Sequence, residues 1–332
     1  MKIRFLFFLA SLLLPLMASA SNFRGGYLYE GQFYRMGKNY LDMLATTPND
    51  RLENLDSNQK NICQNLYGSL LKDGVLDIRI ALGYFDWTTG SSINLDGSNY
   101  GLSPSMDLGG YAALRAILTS SCRGNNRLCG FRQDPSNMYR FTRPITIRGN
   151  TYTARVEVHF SSSTELLSRN VGRNASEQQD RSQFTENFFR NALKNADVTF
   201  YFGHSRNGGG PDFNPPVFLP GQNKLNYAGY YKAKQPGMRK MLNSLSESSN
   251  PTRILGLFSC DSRDHFLRQV RSASPNTGVI TSMDILTVNE VWTSMMGGLD
   301  SMLRGQCQKS FYRSLRMTSK NQRFMTMDGV FN

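Results

Sequence analysis

The 332-residue chain carries 38 lysines and arginines against 25 acidic residues, a formal net charge of +13. Its length suits one large domain or two of ordinary size. Positive charge favours acidic partners such as anionic lipid, polysaccharide or nucleic acid, but the cations are scattered, the densest sets being Lys232-Ala233-Lys234 and Arg239-Lys240. That is a solvated surface able to meet an anionic one, and no dedicated nucleic-acid site is evident.

The chain opens with Met1-Lys2-Ile3-Arg4, then an apolar stretch from Phe5 to Met17, then Ala18-Ser19-Ala20. A positive start, a short apolar core and a small-x-small exit predict a cleavable signal peptide over residues 1–20. A core of about 13 residues falls short of the ~20 that a membrane-spanning helix needs. No later segment is long and apolar enough to be a transmembrane helix. The mature chain is expected to begin near Ser21, to carry a net charge of +11 once Lys2 and Arg4 are gone, and to be secreted or periplasmic.

Residues 21–140 read as a mixed region of open role, whether prodomain, lid or part of a common sheet. Tyr40 to Leu44 and Asn61 to Leu71 have helical apolar spacing, and Val75 to Tyr84 alternates as a strand. Thr88 to Asp107, rich in Gly, Ser and Asn, is predicted as a loop, and Leu108 to Ser120 as a short helix. Residues 141–332 are more regular. Pro144 to Ile147 and Tyr152 to Phe160 flank Arg148-Gly149-Asn150, a hairpin signal. Ser161 to Arg181 is predicted as a long exposed loop and Ser182 to Asn195 as a helix. A buried strand follows, ending at Gly203-His204-Ser205. Gly208 to Pro216 cannot be helical. Met238 to Leu245 reads as a helix, and a second buried strand ends at Ser259-Cys260-Asp261. Asp264 to Ser272 (helix), Thr277 to Ser282 (strand) and Ile285 to Leu303 (amphipathic helix) complete the pattern. Alternating strands and helices predict an α/β fold around a mostly parallel central sheet.

Five cysteines, Cys63, Cys122, Cys129, Cys260 and Cys307, leave at least one thiol unpaired within an oxidised chain. Cys122 and Cys129 bracket a turn-rich loop and are read as a disulfide. Cys63 and Cys307 then pair over a long range and leave Cys260 free. The competing arrangement joins Cys260 to Cys307 or Cys63. No CxxC spacing appears and the three histidines are dispersed, so no metal site and no cofactor is implied.

Parallel strands present their carboxyl ends on one sheet edge, where open α/β folds place ligands. His204 and Cys260 both stand at such ends and can act as base and nucleophile. A helix beginning after Cys260 would favour the thiolate. Backbone N–H groups at Gly203 and Ser205 are candidates for an oxyanion, and Asp212 or Asp261 for a carboxylate that meets a basic substrate group. Gly208-Gly209-Gly210 is read as a flexible wall of this site. His159 reads as structural, and His265 as a fallback base or supporting partner.

The two blocks, Phe200-Tyr201-Phe202-Gly203-His204 and Leu255-Gly256-Leu257-Phe258-Ser259-Cys260, resemble those of caspase-like cysteine peptidases, the group of caspases, metacaspases, legumains and gingipains. Cys260-Asp261-Ser262 looks like the Cys-acid-Ser run of legumain-type members. The resemblance implies a caspase-like three-layer sandwich, with His204 as general base and Cys260 as nucleophile acting on a protein or peptide substrate. Ser205 and Arg263 stand where glycines are usual. A non-catalytic basic protein on the same scaffold, binding anionic envelope components, is the alternative from a different class. A third reading takes Gly203-His204-Ser205 as the start of a Gly-x-Ser-x-Gly elbow with Ser205 as nucleophile. Against it, Asn207 occupies the last motif position and no helix can follow directly.

Overall fold

Five consecutive residues from Val198 to Phe202 are buried, as are five from Ile254 to Phe258. Runs covered on both faces belong inside a sheet flanked by helices. The computed structural model describes residues 28–85, 90–216, 219–222, 224, 226, 234–317 and 324–332. The proposed signal peptide lies outside them. In chain order the elements are α1 (Glu30–Ala45), α2 (Ser57–Leu70), β1 (Val75–Leu82), β2 (Ser92–Leu95), β3 (Ser98–Leu102), α3 (Ser105–Thr119), β4 (Arg132–Asp134), β5 (Asn137–Ile147) and β6 (Asn150–Phe160). After these come α4 (Asn174–Asn195), β7 (Val198–Phe202), α5 (Pro236–Ser246), β8 (Ile254–Phe258), α6 (Arg268–Ala273), β9 (Gly278–Ser282), α7 (Val288–Arg304), α8 (Gln308–Ser314) and β10 (Met325–Asp328).

One eight-stranded sheet has the order β10-β9-β8-β7-β1-β6-β5-β4. The run β9-β8-β7-β1-β6 is parallel throughout, while β10 at one flank and β5 and β4 at the other are antiparallel to their neighbours. Side chains alternate between two apolar layers. Ile78, Ile80, Phe200, Phe202, Ile254 and Phe258 pack with α1, α2, α3, α7 and α8. Ala81, Tyr201, Leu255 and Leu257 pack with α4, α5 and α6. The boundary drawn at residue 140 falls within β5, and β1 from the amino-terminal portion pairs with both β6 and β7 at the sheet centre. The amino-terminal portion therefore contributes to the same sheet.

Several segments differ from the sequence expectation. The stretch predicted as a loop over 88–107 contains the β2–β3 hairpin, turned at Asp96 and Gly97, both with positive φ (51° and 80°). The loop predicted over 161–181 is shorter than expected and only partly exposed: α4 begins at Asn174, Ser161 to Thr164 are buried, and the exposed part lies between them. Their polar atoms are paired, the Ser162 and Ser163 N–H groups donating to Ser182 Oγ at 3.0 and 2.8 Å. Buried hydroxyls are tolerated when hydrogen-bonded. Gly208, Gly209 and Gly210 are buried rather than a flexible wall; Gly210 N–H donates to Ser205 O at 3.0 Å, and Gly237 N–H to Gly209 O at 2.9 Å. No helix among the described residues is long and apolar enough to cross a membrane.

Cys122–Cys129 and Cys63–Cys307 are disulfides, and Cys260 is free. The second disulfide spans 244 residues and fastens α2 to the turn before α8. A guanidinium stands against each bond: Arg148 lies 2.7 Å from Cys63 Sγ and Arg143 3.0 Å from Cys122 Sγ. A second tether is ionic. Asp300 and Arg304, one turn apart on α7, have wholly buried side chains 3.4 Å apart. Asp300 accepts the Arg127 N–H at 2.6 Å, and Arg304 donates to Asn49 Oδ1 at 2.7 Å and Thr47 O at 2.6 Å. The pair binds the segment after α1 and the Cys122–Cys129 loop to one helix.

Candidate active site at the ends of two neighbouring strands

In the pairing of β7 with β8, Phe202 stands opposite Phe258. Gly203 N–H extends the ladder by donating to Phe258 O at 3.3 Å. His204 and Cys260 each lie two residues beyond that register pair, so the backbone delivers them to the same sheet edge on adjacent strands, whose spacing is about 4.8 Å. The side chains are not hydrogen-bonded to each other. The thiol faces Leu286 O at 3.3 Å, and no described residue takes a hydrogen bond from the His204 ring. Catalytic contacts of a free site can tighten only on substrate binding.

His204 is held by the ends of β1 and β7. Its ring packs on Phe85 (centroids 4.7 Å apart) and near Tyr84 (6.2 Å). The hydroxyl proton of Tyr201 lies between His204 O at 2.9 Å and Asp212 O at 3.1 Å, while its oxygen accepts Asp212 N–H at 2.9 Å. Close approach at Gly83 makes this possible, since a Cβ there would sit 2.5 Å from both Asp212 O and the Tyr201 ring. The loop after His204 passes through Arg206 and Asn207 at positive φ (51° and 50°). Arg206 pairs with Asp212 at 2.9 Å, both side chains less than a tenth exposed (9% and 8%), and its guanidinium lies 4.7 Å over the Tyr84 ring. Tyr84 in turn hydrogen-bonds Glu165. Burial, reinforced by the Arg206 charge, lowers the His204 pKa to about 4. The imidazole is therefore neutral near neutral pH, with its basicity reduced.

Cys260 is half-buried and sits in a turn tied to β9. Ser262 Oγ donates to Leu257 O at 2.7 Å and accepts Ser282 N–H at 2.8 Å, and Ser282 Oγ donates to Ser259 O. Asp261 adopts a left-handed conformation (φ 46°) and donates its N–H to Asp284 O at 2.9 Å. Positive φ at a non-glycine residue is a recurrent mark of functional turns. A wide π-helical turn, Arg263–Leu267, then leads into α6. Burial pushes the Cys260 thiol above its ordinary value, and the Asp261 and Asp284 carboxylates add to the shift. This reverses the sequence expectation that the following helix favours the thiolate. Removal from water and two nearby anions outweigh the helix end.

The other expected groups divide. Gly203 N–H is spent on the ladder, so it is not free for an oxyanion. Ser205 is buried beside the site, and among the described residues its N–H has no acceptor. It is followed by a single 3-10 turn, Arg206–Gly208, rather than the helix that a serine elbow requires. Asp212 is committed to Arg206 and does not offer a free carboxylate. His265 lies by the His204 loop, its Nδ1 only 3.3 Å from where a Cβ on Gly208 would stand. His159 is remote, on β6. Tyr84, Phe85, Tyr201 and Arg206 escaped the sequence reading, because their roles arise from contacts between strand ends distant along the chain. Arg206, next but one to a candidate base, was the legible hint.

The raised thiol predicts a specific reactivity. Alkylation of Cys260 by iodoacetamide should be slow near neutrality and still accelerating past pH 9, above the free-thiol value of 9.0. Since only the thiolate reacts, Asp261→Asn and Asp284→Asn should each move the curve to lower pH. A plateau reached by pH 7 would contradict this assignment. No protein-family model, curated protein or solved structure matches the chain.

Proposed function

We propose that this protein is an exported caspase-like cysteine hydrolase, most simply an endopeptidase, with Cys260 as nucleophile and His204 as base. The observation that carries the reading is the matched placement of the two residues, each two positions past a paired residue on neighbouring parallel strands. Cys260 being free while the other four cysteines are bonded supports it, and two disulfides suit an oxidising compartment.

The lowered imidazole and raised thiol pKa values favour a neutral pair at rest over a preformed thiolate–imidazolium pair. The thiol proton therefore passes to His204 as the sulfur bonds to the carbonyl carbon and the C=O pair moves to oxygen. Ser205 N–H is the available donor for that oxygen. Collapse breaks the C–N bond, and His204 returns the proton to the leaving amine. Water then cleaves the thioester by the same exchange.

A thiol-directed electrophile should attach once to the native protein, at Cys260. Hydrolysis of a casein-type substrate should fall at least ~100-fold in Cys260→Ala and in His204→Ala. Unchanged hydrolysis in both variants would end this reading.

The raised thiol pKa gives a second reading its specific support: a non-catalytic, basic exported protein that binds anionic envelope components. Binding to anionic vesicles that weakens steeply with salt and ignores Cys260→Ala, with no hydrolysis detected, would select it.

A further inference from the structure

A second candidate site lies on the α4 side of the sheet, two strands from β7. A cavity of about 360 Å³ opens between β5, β6 and α4, lined among others by Tyr139, Glu157, His159, Asp180, Arg181 and Phe184. The walls are aromatic. The His159 ring stands 4.4 Å from Tyr139 and 4.9 Å from Phe184. Phe184 is 56% exposed, unusual for a phenylalanine on a long packed helix.

The charges lining this cavity run against the excess of the whole chain. Glu157, 14% exposed, bonds His159 Nε2 at 3.0 Å and Arg140 Nε at 3.0 Å. Despite burial, which acts to raise it, these two partners bring its pKa down to about 2, so it stays a carboxylate. Arg181 also lines the cavity, but its guanidinium is engaged over the Tyr100 ring at 5.0 Å and its Nε donates to Ser162 Oγ at 3.0 Å. Asp180 is exposed and forms no ion pair with any described residue. Aromatic faces beside an exposed carboxylate suit an organic cation, since the ring quadrupoles and the anion attract the same charge.

We propose that this cavity binds an ammonium group carried on an apolar stem, such as an amine or a lysine side chain. The stem lies against Tyr139 and Phe184, and the cation faces Asp180. The site is independent of His204 and Cys260.

Three probes sharing one ring separate the contributions: benzyltrimethylammonium, benzyl alcohol and benzoate, titrated against the full chain by ligand-observed NMR. The ammonium should bind saturably and at least about fivefold more tightly than the alcohol, and benzoate weakest. Asp180→Asn should bring the ammonium toward the alcohol, while Phe184→Ala should weaken both. Both positions are exposed, so the variants should fold, and Cys260→Ala should leave all three affinities unchanged. Benzoate binding as tightly as the ammonium, absence of saturable binding, or indifference to both variants would overturn the proposal.

Discussion

Removing the Cys63–Cys307 bond, by replacing both residues with alanine, should lower folding stability by about 5–6 kcal/mol on the chain-entropy argument. The reason lies in the unfolded chain. A cross-link across 244 residues removes a large closure entropy from the denatured ensemble, whereas the 7-residue Cys122–Cys129 span removes much less. On the same chain-entropy argument the short bond contributes about 2–3 kcal/mol. Against a typical total of roughly 5–15 kcal/mol, losing the long bond consumes much of the margin. Urea midpoints for the two double-alanine variants provide the comparison. Equal losses, or a larger loss from the short bond, would show that native-state contacts rather than loop closure set the contribution.

The second large effect is expected at Asp300. Asp300→Ala should cost roughly 3–5 kcal/mol, because it strands the Arg304 guanidinium without a counter-charge inside the protein. It also deprives the Arg127 N–H of its acceptor, whereas the Leu128 N–H keeps Asn126 Oδ1 at 2.9 Å. Arg304→Met should cost a similar amount by leaving a buried carboxylate. Since each single change leaves one uncompensated buried charge and the double change leaves none, the double variant should be clearly more stable than the sum of the two losses implies. Denaturant unfolding of the four-member cycle measures this. Strict additivity would mean that the two groups act separately.

What the sequence disclosed, and what it hid, follows from where each signal resides. β7 and β8 were legible because runs such as Val198 to Phe202 and Ile254 to Phe258 are apolar at every position. The β5–β6 turn was legible because Arg148-Gly149 supplies the positive φ values (54° and 83°) that a tight hairpin needs. The β2–β3 hairpin carried a comparable local signal, Asp96-Gly97 after the alternating Ile93 and Leu95. Surrounding Ser and Asn residues masked it by their loop-like composition. Ser162 and Ser163 offered no local sign of burial, since their acceptors and donors come from α4. At the candidate site the positions of His204 and Cys260 were readable, but the electrostatics were not. The Arg206 charge near the imidazole and the Asp284 carboxylate near the thiol depend on how the loops return to the strand ends.

The central position of β1 bears on how this molecule is made. Ile78 pairs with Val156 on one side and Val198 on the other, so an early-synthesised strand waits for two late ones. During ribosomal emergence it has no native neighbour, and chains dominated by such distant pairings fold slowly. Until β6 and β7 are synthesised both of its edges stay unpaired, the condition under which strands aggregate.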